Sequence, residues 1–148
     1  MVLCDFENHY NLGGGWTVFQ RRIDGSVDFD RNWTMYKYGF GDVSGEFWLG
    51  LEKLHAMTRH GRHELMVLLE DFEGNSKYAL YDDFTVGSEA EKYKLTVGKY
   101  AGSAGNSLVR HNGMKFSTMD QNNYPVSGKE NCAIAHKGAW WFEKCYHS

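Results

Sequence analysis

Residues 45–61 read GEFWLGLEKLHAMTRHG and contain the clearest helix signal in the chain. Leu51, Leu54 and Met57 recur at a spacing that places them on one face of a helix. Gly61 follows at a position where helices often end, because glycine adopts the left-handed C′ conformation at low cost. The pattern predicts a helix that begins at Leu51 and ends just before Gly61.

One strand and one short helix are predicted before this segment. Residues 16–22 are rich in aromatic and β-branched side chains and follow a run of glycines, which favours a strand. Residues 30–38 have aromatic side chains at helical spacing, with Asp30 as the candidate N-cap and Gly39 as the stop. The first third of the chain therefore mixes strand and helix.

The pattern changes to strands after Gly61. Residues 63–72, 78–86 and 92–100 are each of strand length and are separated by short polar or glycine-containing turns, so we expect antiparallel neighbours. Residues 101–131 are predicted to be mostly irregular. An irregular stretch of that length in a compact domain is usually functional, disordered or held by other parts of the protein.

Composition narrows the class of protein. A chain of 148 residues with 16 % aromatic residues and one proline is typical of one packed domain. Sixteen Lys and Arg against nineteen Asp and Glu give a formal net charge of −3, which argues against nucleic acid or an anionic membrane as a partner. The longest wholly apolar run, residues 65–69, is too short to span a membrane, and the N-terminus lacks a leader pattern.

The cysteines leave alternatives open. Cys132 and Cys145 have a spacing that suits a hairpin-sized disulfide loop, but two buried thiols in a reducing compartment would look the same in sequence. Cys4 has no obvious partner. An odd cysteine indicates an intermolecular bond, a free thiol, or a partner in sequence outside this chain.

Other possible sites rest on weaker patterns. Asn32 begins an Asn-Trp-Thr sequon and is the candidate glycosylation site. His60 and His63 lie on either side of a predicted helix end, which does not suit a helical zinc motif. The loop that starts at Asp120 carries oxygen-bearing side chains at alternate positions, which fits either a hard-cation site or an Asx-rich turn.

No nucleotide-binding or nucleophile motif occurs in the sequence, so we predict that the protein is not an enzyme. Acidic residues around the 73–76 turn could supply a carboxylate pair for hydrolysis, but a solvated sheet edge is the default interpretation. The hydrolase hypothesis rests on residue types alone.

Several widely spaced motifs resemble the fibrinogen C-terminal globular domain, and they occur in the family's order over the chain from about residue 2 onward. In this chain they are GGWTVFQRR at 14–22, Trp33 to Gly41, GEFWLGLEKLH at 45–55, MKFST at 114–118, Asn131-Cys132-Ala133, and GAWW at 138–141 followed by Cys145.

This resemblance implies an α+β fold and an extracellular, disulfide-bonded module. Residues 1–100 would form a central antiparallel sheet region with short helices, and residues 101–148 the start of an irregular, loop-rich binding lobe. Domains of the family begin before the position of Cys4 and continue past the position of Ser148. We therefore expect a partial domain.

The resemblance implies recognition without catalysis. Several lectin-like members bind acetylated sugars, so the first hypothesis is a secreted glycoprotein lectin that binds glycans or acetylated pathogen-surface groups in innate immunity. The alternative is a protein-binding module of the same fold, as in receptor ligands, clotting or adhesion proteins. Members commonly multimerise, which implies a homo-oligomer in the full-length parent.

Site residues follow from the same resemblance. Cys132 and Cys145 match the family's C-terminal disulfide, and acetyl-binding members have a cis peptide before the second cysteine, which is the Lys144–Cys145 bond here. The ligand-binding residues implied are His136, Lys144, Cys145 and Tyr146. His136 stands where those members have an aromatic side chain, and Tyr146 where a histidine is frequent. Trp140 and Trp141 are expected in the core.

Members that bind calcium carry aspartates at alternate positions after the Phe-Ser-Thr motif. Asp120 matches the first of these positions, but Asn122 and Tyr124 occupy the next two. The implied Ca²⁺ ligands are therefore Asp120 and Asn122, supplemented by backbone carbonyls. Two fewer carboxylates weaken such a site.

Overall fold

The computed structural model describes residues 2–123 and 131–143. They form short strands and helices in an α+β arrangement, as the sequence predicts. The strands are β1 Leu3–Asp5, β2 Trp16–Val18, β3 Gln20–Arg21, β4 Phe40–Gly41, β5 Phe47–Trp48, β6 Leu65–Glu70, β7 Ser76–Tyr81, β8 Phe84–Val86, β9 Leu95–Val97 and β10 Tyr100–Gly102. The α-helices are α1 Trp33–Tyr38, α2 Leu51–Thr58 and α3 Cys132–His136. Short 3₁₀ helices cover His9–Asn11, Glu89–Glu91 and Ser107–His111.

All strand pairs in the described residues are antiparallel. Within the described residues they form four sheets, with the strand orders β1-β2, β10-β7-β6, β3-β5-β4 and β8-β9. The longest pairing, β6 with β7, runs from Leu65 opposite Tyr81 to Glu70 opposite Ser76. This hairpin confirms the expected antiparallel neighbours.

The predicted strands are shorter in the structure, and each is divided or trimmed at its polar residues. The expected 63–72 strand keeps only β6. The expected 78–86 strand breaks between β7 and β8, which belong to different sheets. Asp82 causes the break, because its Oδ1 accepts from the backbone N–H of Lys99 at 2.6 Å and its own N–H donates to the Lys99 carbonyl.

Two further strand predictions are corrected. The expected 92–100 strand begins only at β9, since Lys92 and Tyr93 have positive φ values of 56° and 53° that no strand contains. The expected 16–22 strand changes partner at Phe19: β2 pairs with β1, whereas β3 pairs with β5. The segment therefore connects two sheets.

Helix α1 begins later than predicted, and its N-cap is Asn32 instead of Asp30. The Asn32 Oδ1 accepts from the Met35 backbone N–H at 2.9 Å. The Trp33 N–H donates to Asp120 Oδ1, also at 2.9 Å. Two of the four orphan N–H groups at a helix start are thereby satisfied, and one of them binds a residue far along the chain.

Helix α2 begins at Leu51 as predicted and ends at Thr58, so the final turn before Gly61 is not helical. Its start lies very close to the end of α1. A Cβ on Gly39 would come within 2.4 Å of the Leu49 carbonyl oxygen, and a Cβ on Gly50 within 2.8 Å of the Tyr38 carbonyl carbon. Both glycines also have positive φ. They allow the two helices to approach backbone to backbone.

An aromatic cluster fills the core between the two helices, the β3-β5-β4 sheet and the C-terminal segment. Phe116 is fully buried at its centre. Its ring lies 5.0 Å from Trp141, 5.4 Å from Tyr36 and 5.9 Å from Trp48, measured between ring centroids. Rings at these separations add stabilisation beyond the area that they bury.

Glu46 is a buried carboxylate, 2 % exposed, at the start of β5. Its oxygens accept hydrogen bonds from the backbone N–H groups of Ile23, Gly25 and Val27 and from the Ser26 hydroxyl, at 2.9 to 3.2 Å. These bonds, with that of Ile23 the strongest cause, lower the pKa of Glu46 from its ordinary value near 4.5 to about 2. The carboxylate thus holds the 23–27 loop in place.

Candidate ligand-binding cleft

A cavity of about 250 Å³ lies between the β3-β5-β4 sheet region and the C-terminal segment. We call it the lobe cleft. One wall comes from the first part of the chain and consists of Gln20, Arg22, Phe29, Tyr36 and Trp48. The other wall comes from the end of the described chain and consists of His136, Lys137, Gly138, Ala139, Trp140 and Phe142.

In the first wall, the polar groups of Tyr36 and Trp48 are paired beneath the surface. The Tyr36 hydroxyl donates to the Phe29 carbonyl at 2.5 Å, and Trp48 Nε1 donates to the Tyr36 carbonyl at 2.9 Å. Burial raises the pKa of Tyr36, so its hydroxyl stays protonated and keeps donating at neutral pH.

Arg22 supplies a positive charge to this wall. Its guanidinium carbon lies 4.0 Å above the centre of the Phe29 ring, and its Nε lies 3.8 Å from Glu46 Oε1. The side chain is still 56 % exposed. The carboxylate and the ring therefore position a guanidinium that solvent or a ligand can reach.

Helix α3 shapes the second wall. The Asn131 side chain caps its start by accepting from the Ala133 N–H at 2.9 Å, and Lys137 ends it with a positive φ of 51°. The turn presents His136, which is exposed and stacks on Phe142 at 6.3 Å between centroids and 22° between planes.

Trp140 connects the second wall to the rest of the domain. Its backbone pairs with Ser117 in both directions, at 3.0 and 3.3 Å. Its Nε1 is buried, and it has no hydrogen-bond acceptor within residues 2–123 and 131–143. Trp141 points the other way and is 2 % exposed. Of the two tryptophans expected in the core, Trp141 is a core residue and Trp140 lines the cleft.

The lobe cleft is rich in donors. The exposed Arg22 guanidinium lies over the Phe29 ring, and Lys137 and Gln20 add further donor-bearing side chains to the lining. Such a lining suits a partly apolar group that carries hydrogen-bond acceptors or a negative charge.

Of the ligand-binding residues predicted from sequence, the structure places His136 in the cleft. Lys144, Cys145 and Tyr146, with the Lys144–Cys145 peptide bond, lie outside the described residues. Cys132 is buried and disulfide-bonded. Its predicted bond to Cys145 stays a prediction for the same reason. Cys4 is an exposed free cysteine.

Sequence reasoning missed the first wall. Gln20 and Arg22 are two positions apart, so they lie on the same side of a strand. This alternation is the sequence signal that could have placed the two side chains in one wall. Their approach to α3 depends on packing over more than a hundred residues, which no local pattern shows.

Asp120, the predicted calcium ligand, has a structural use. Its Oδ1 accepts from the Trp33 N–H at 2.9 Å and from the Thr118 hydroxyl at 2.7 Å. It therefore ties the 118–121 turn to the start of α1. An oxygen that accepts two such bonds, on the one carboxylate of residues 118–123, fits helix capping better than Ca²⁺ coordination. The calcium site at Asp120 and Asn122 stays a prediction.

We expect Asp120→Ala to destabilise the protein by about 1 kcal/mol, the usual cost of losing a helix cap. Urea unfolding with added calcium and with EDTA measures it, and we expect the same loss in both. Thr34→Ala, an exposed change on the same helix, is the control. A calcium-dependent rise in the wild-type melting temperature that Asp120→Ala removes would establish the metal site.

Asn32, the predicted glycosylation site, is exposed at the start of α1. The sequon's middle residue, Trp33, is 5 % exposed and packs in the core. The cap bond uses the Asn32 Oδ1, and glycosylation would occur on the other side-chain atom, Nδ2. The modification itself stays a prediction.

Comparisons with known proteins agree on one family. The family model for the C-terminal globular domain of the fibrinogen beta and gamma chains matches residues 1–148. Angiopoietin-related protein 6 of Mus musculus is 52 % identical over 136 residues, which cover 92 % of this chain and 29 % of that protein. The chain thus spans less than a third of that relative.

Solved structures also match the fold. The fibrinogen-like globe domain of human ANGPTL2 has a TM-score of 0.92 and 47 % identity, covering 99 % of this chain and 66 % of that one. Lamprey fibrin D-dimer, complexed with the peptide ligand Gly-His-Arg-Pro-amide, has a TM-score of 0.86 and 37 % identity, covering 97 % and 49 %. The chain belongs to the fibrinogen C-terminal globular domain family.

Proposed function

We propose that this chain is a protein-recognition module that binds a peptide segment of its partner in the lobe cleft. This function is the alternative to a lectin that the family resemblance implies, a protein-binding module of the same fold, and it does not require lectin activity. The observation that carries it is the donor-rich lining of the cleft. Peptide segments offer matching acceptors in their backbone carbonyls, acidic side chains and C-terminal carboxylates.

Two comparisons support a protein ligand over a glycan. The mouse relative is an angiopoietin-related protein, and the lamprey structure holds a peptide ligand. In addition, His136 replaces the aromatic side chain that the resemblance to acetyl-binding lectins leads one to expect. Glycan binding and a role in innate immunity therefore become the competing hypothesis.

The proposal also places the module outside the cell, where the disulfide of Cys132 is stable. Among the described residues, no helix has the length and apolar character needed to cross a membrane. The module binds without catalysing a reaction, and oligomerisation of the parent would increase the avidity of a weak single site.

Parallel arrays test the proposal. The purified chain is applied to an array of random heptapeptides and to a glycan array that includes N-acetylated sugars. We expect saturable binding to a subset of peptides enriched in Asp and Glu, without competition by N-acetylglucosamine. We expect His136→Ala and Arg22→Ala to weaken peptide binding by about fivefold or more, the effect of a central interface residue.

Ile134→Ala is the matched control, since Ile134 lies on α3 beside His136, is 59 % exposed and does not line the cleft. It should bind like the wild type. Saturable binding to N-acetylated glycans with no peptide binding would overturn the proposal, and so would equal peptide affinity for all three variants.

A further inference from the structure

Three metal-ligating side chains converge in the segment that follows β1, and none of them lines the lobe cleft. Asp5, Glu7 and His9 each offer one ligand atom, and these three atoms lie within 4.8 Å of one another. His9 Nε2 is 2.8 Å from Asp5 Oδ2 and 3.8 Å from Glu7 Oε2. One imidazole nitrogen therefore faces two carboxylates.

The loop that carries these groups is anchored on both sides. Asp5 ends β1, and its carbonyl accepts from the Gly15 N–H at 2.8 Å. Tyr10 fixes the other end, because its hydroxyl lies 2.6 Å from Ser76 Oγ and its ring lies 4.4 Å from the Tyr78 ring. The His9–Asp5 hydrogen bond and the bond from the Glu7 N–H to Asp5 Oδ1 at 2.9 Å hold these residues together, and the contacts of Gly15 and Tyr10 fix the loop on either side.

We propose that Asp5, Glu7 and His9 form a binding site for a divalent transition-metal ion, specifically zinc, with water completing the coordination. Zinc accepts imidazole nitrogen and carboxylate oxygen at about 2.0–2.2 Å in a tetrahedral arrangement. Ligand atoms at those bond lengths are about 3.4 Å apart. The two separations from His9 Nε2, 2.8 and 3.8 Å, lie on either side of that value, and the separation between the two carboxylates is within 4.8 Å.

The mixed donor set selects the class of ion. Calcium and magnesium prefer oxygen ligands alone, whereas imidazole suits zinc, copper and nickel. Arg21 lies beside the cluster, so the two carboxylates exceed the charge of this cation. Cys4 precedes Asp5 in β1 and, because side chains alternate along a strand, points to the opposite face.

Equilibrium titration tests the site. Zinc is titrated into the metal-free chain in competition with a fluorescent zinc indicator, and we expect one ion per chain. Loss of even an outer-shell partner commonly costs about 10–100-fold in metal affinity. We therefore expect His9→Ala and Glu7→Gln each to weaken zinc binding by at least about tenfold. Because Glu7 is 83 % exposed, Glu7→Gln removes a charge without disturbing the core.

Two controls separate this site from other ligands. His60→Ala removes an exposed histidine elsewhere, and Cys4→Ser removes the free thiol of the residue that precedes Asp5. Both should bind zinc like the wild type, and excess calcium should not displace it. The proposal is wrong if the wild type binds no zinc, if His9→Ala binds as tightly as the wild type, or if Cys4→Ser loses the ion.

Discussion

Glu46→Gln should lower the melting temperature by roughly 10 °C, among the largest effects of any isosteric change in this chain. The carboxylate accepts four hydrogen bonds in a buried position, two on each oxygen. A glutamine amide turns one oxygen into an NH₂ group, which then faces two donors. Donors that lose their acceptor in a buried site carry the full cost of desolvation.

Thermal unfolding followed by circular dichroism measures this effect. Glu64→Gln is the matched control, because Glu64 is exposed and the chemical change is the same. It should melt like the wild type. If Glu46→Gln melted within a degree or two of the wild type, the 23–27 loop would not depend on this carboxylate.

The pH dependence of the stability difference between the wild type and Glu46→Gln is a second test of the role of this carboxylate. Because the folded-state pKa of Glu46 is depressed to about 2, its stabilising contribution is complete above the unfolded value near 4.5 and is lost as the pH falls toward 2. The stability difference between the wild type and Glu46→Gln should therefore be constant at neutral pH and shrink over that interval.

Trp141→Ala should destabilise the protein by about 3–5 kcal/mol, the range for removing a large aromatic side chain from a core. The indole contacts Phe116 and Trp48 at centroid distances of 5.0 and 6.3 Å. Its Nε1 also donates to the Tyr93 carbonyl at 2.7 Å. The substitution leaves both a cavity and an unpaired buried carbonyl, and urea unfolding measures the loss.

Two further variants show how much of the loss at Trp141 comes from the ring and how much from the hydrogen bond. Trp141→Phe keeps a ring but loses the N–H donor and should have an intermediate effect. Ile134→Ala, which truncates an exposed side chain, should be nearly neutral. A loss below about 1 kcal/mol for Trp141→Ala would mean that the C-terminal segment is not held to the core through this side chain.

Helix α2 shows what local sequence predicts well, since the Leu51, Leu54 and Met57 spacing is a complete signal within one element. The start of α1 shows the limit. Asp30 and Asn32 are both good N-cap residues, and the choice depends partly on Asp120, which binds the first turn from 87 positions away. No pattern within residues 30–38 contains that information.

The candidate site likewise contains residues that the sequence predicts and residues that it does not. His136 was found because the family resemblance fixes its distance from Cys132. Arg22 was missed because its role depends on Glu46 and on α3, which local periodicity does not connect. In sequence, Glu46 is one polar residue in an aromatic segment, and only its donors in the 23–27 loop explain why a charge is buried there.

The lobe cleft has a thermodynamic consequence because its walls come from opposite ends of the described chain. The cleft exists only when the chain is folded, so any molecule that occupies it is linked to the folding equilibrium. A ligand at a hundred times its dissociation constant adds about 2.7 kcal/mol to the free energy of unfolding. An engaged partner would thereby also protect the module from proteases that attack its unfolded form.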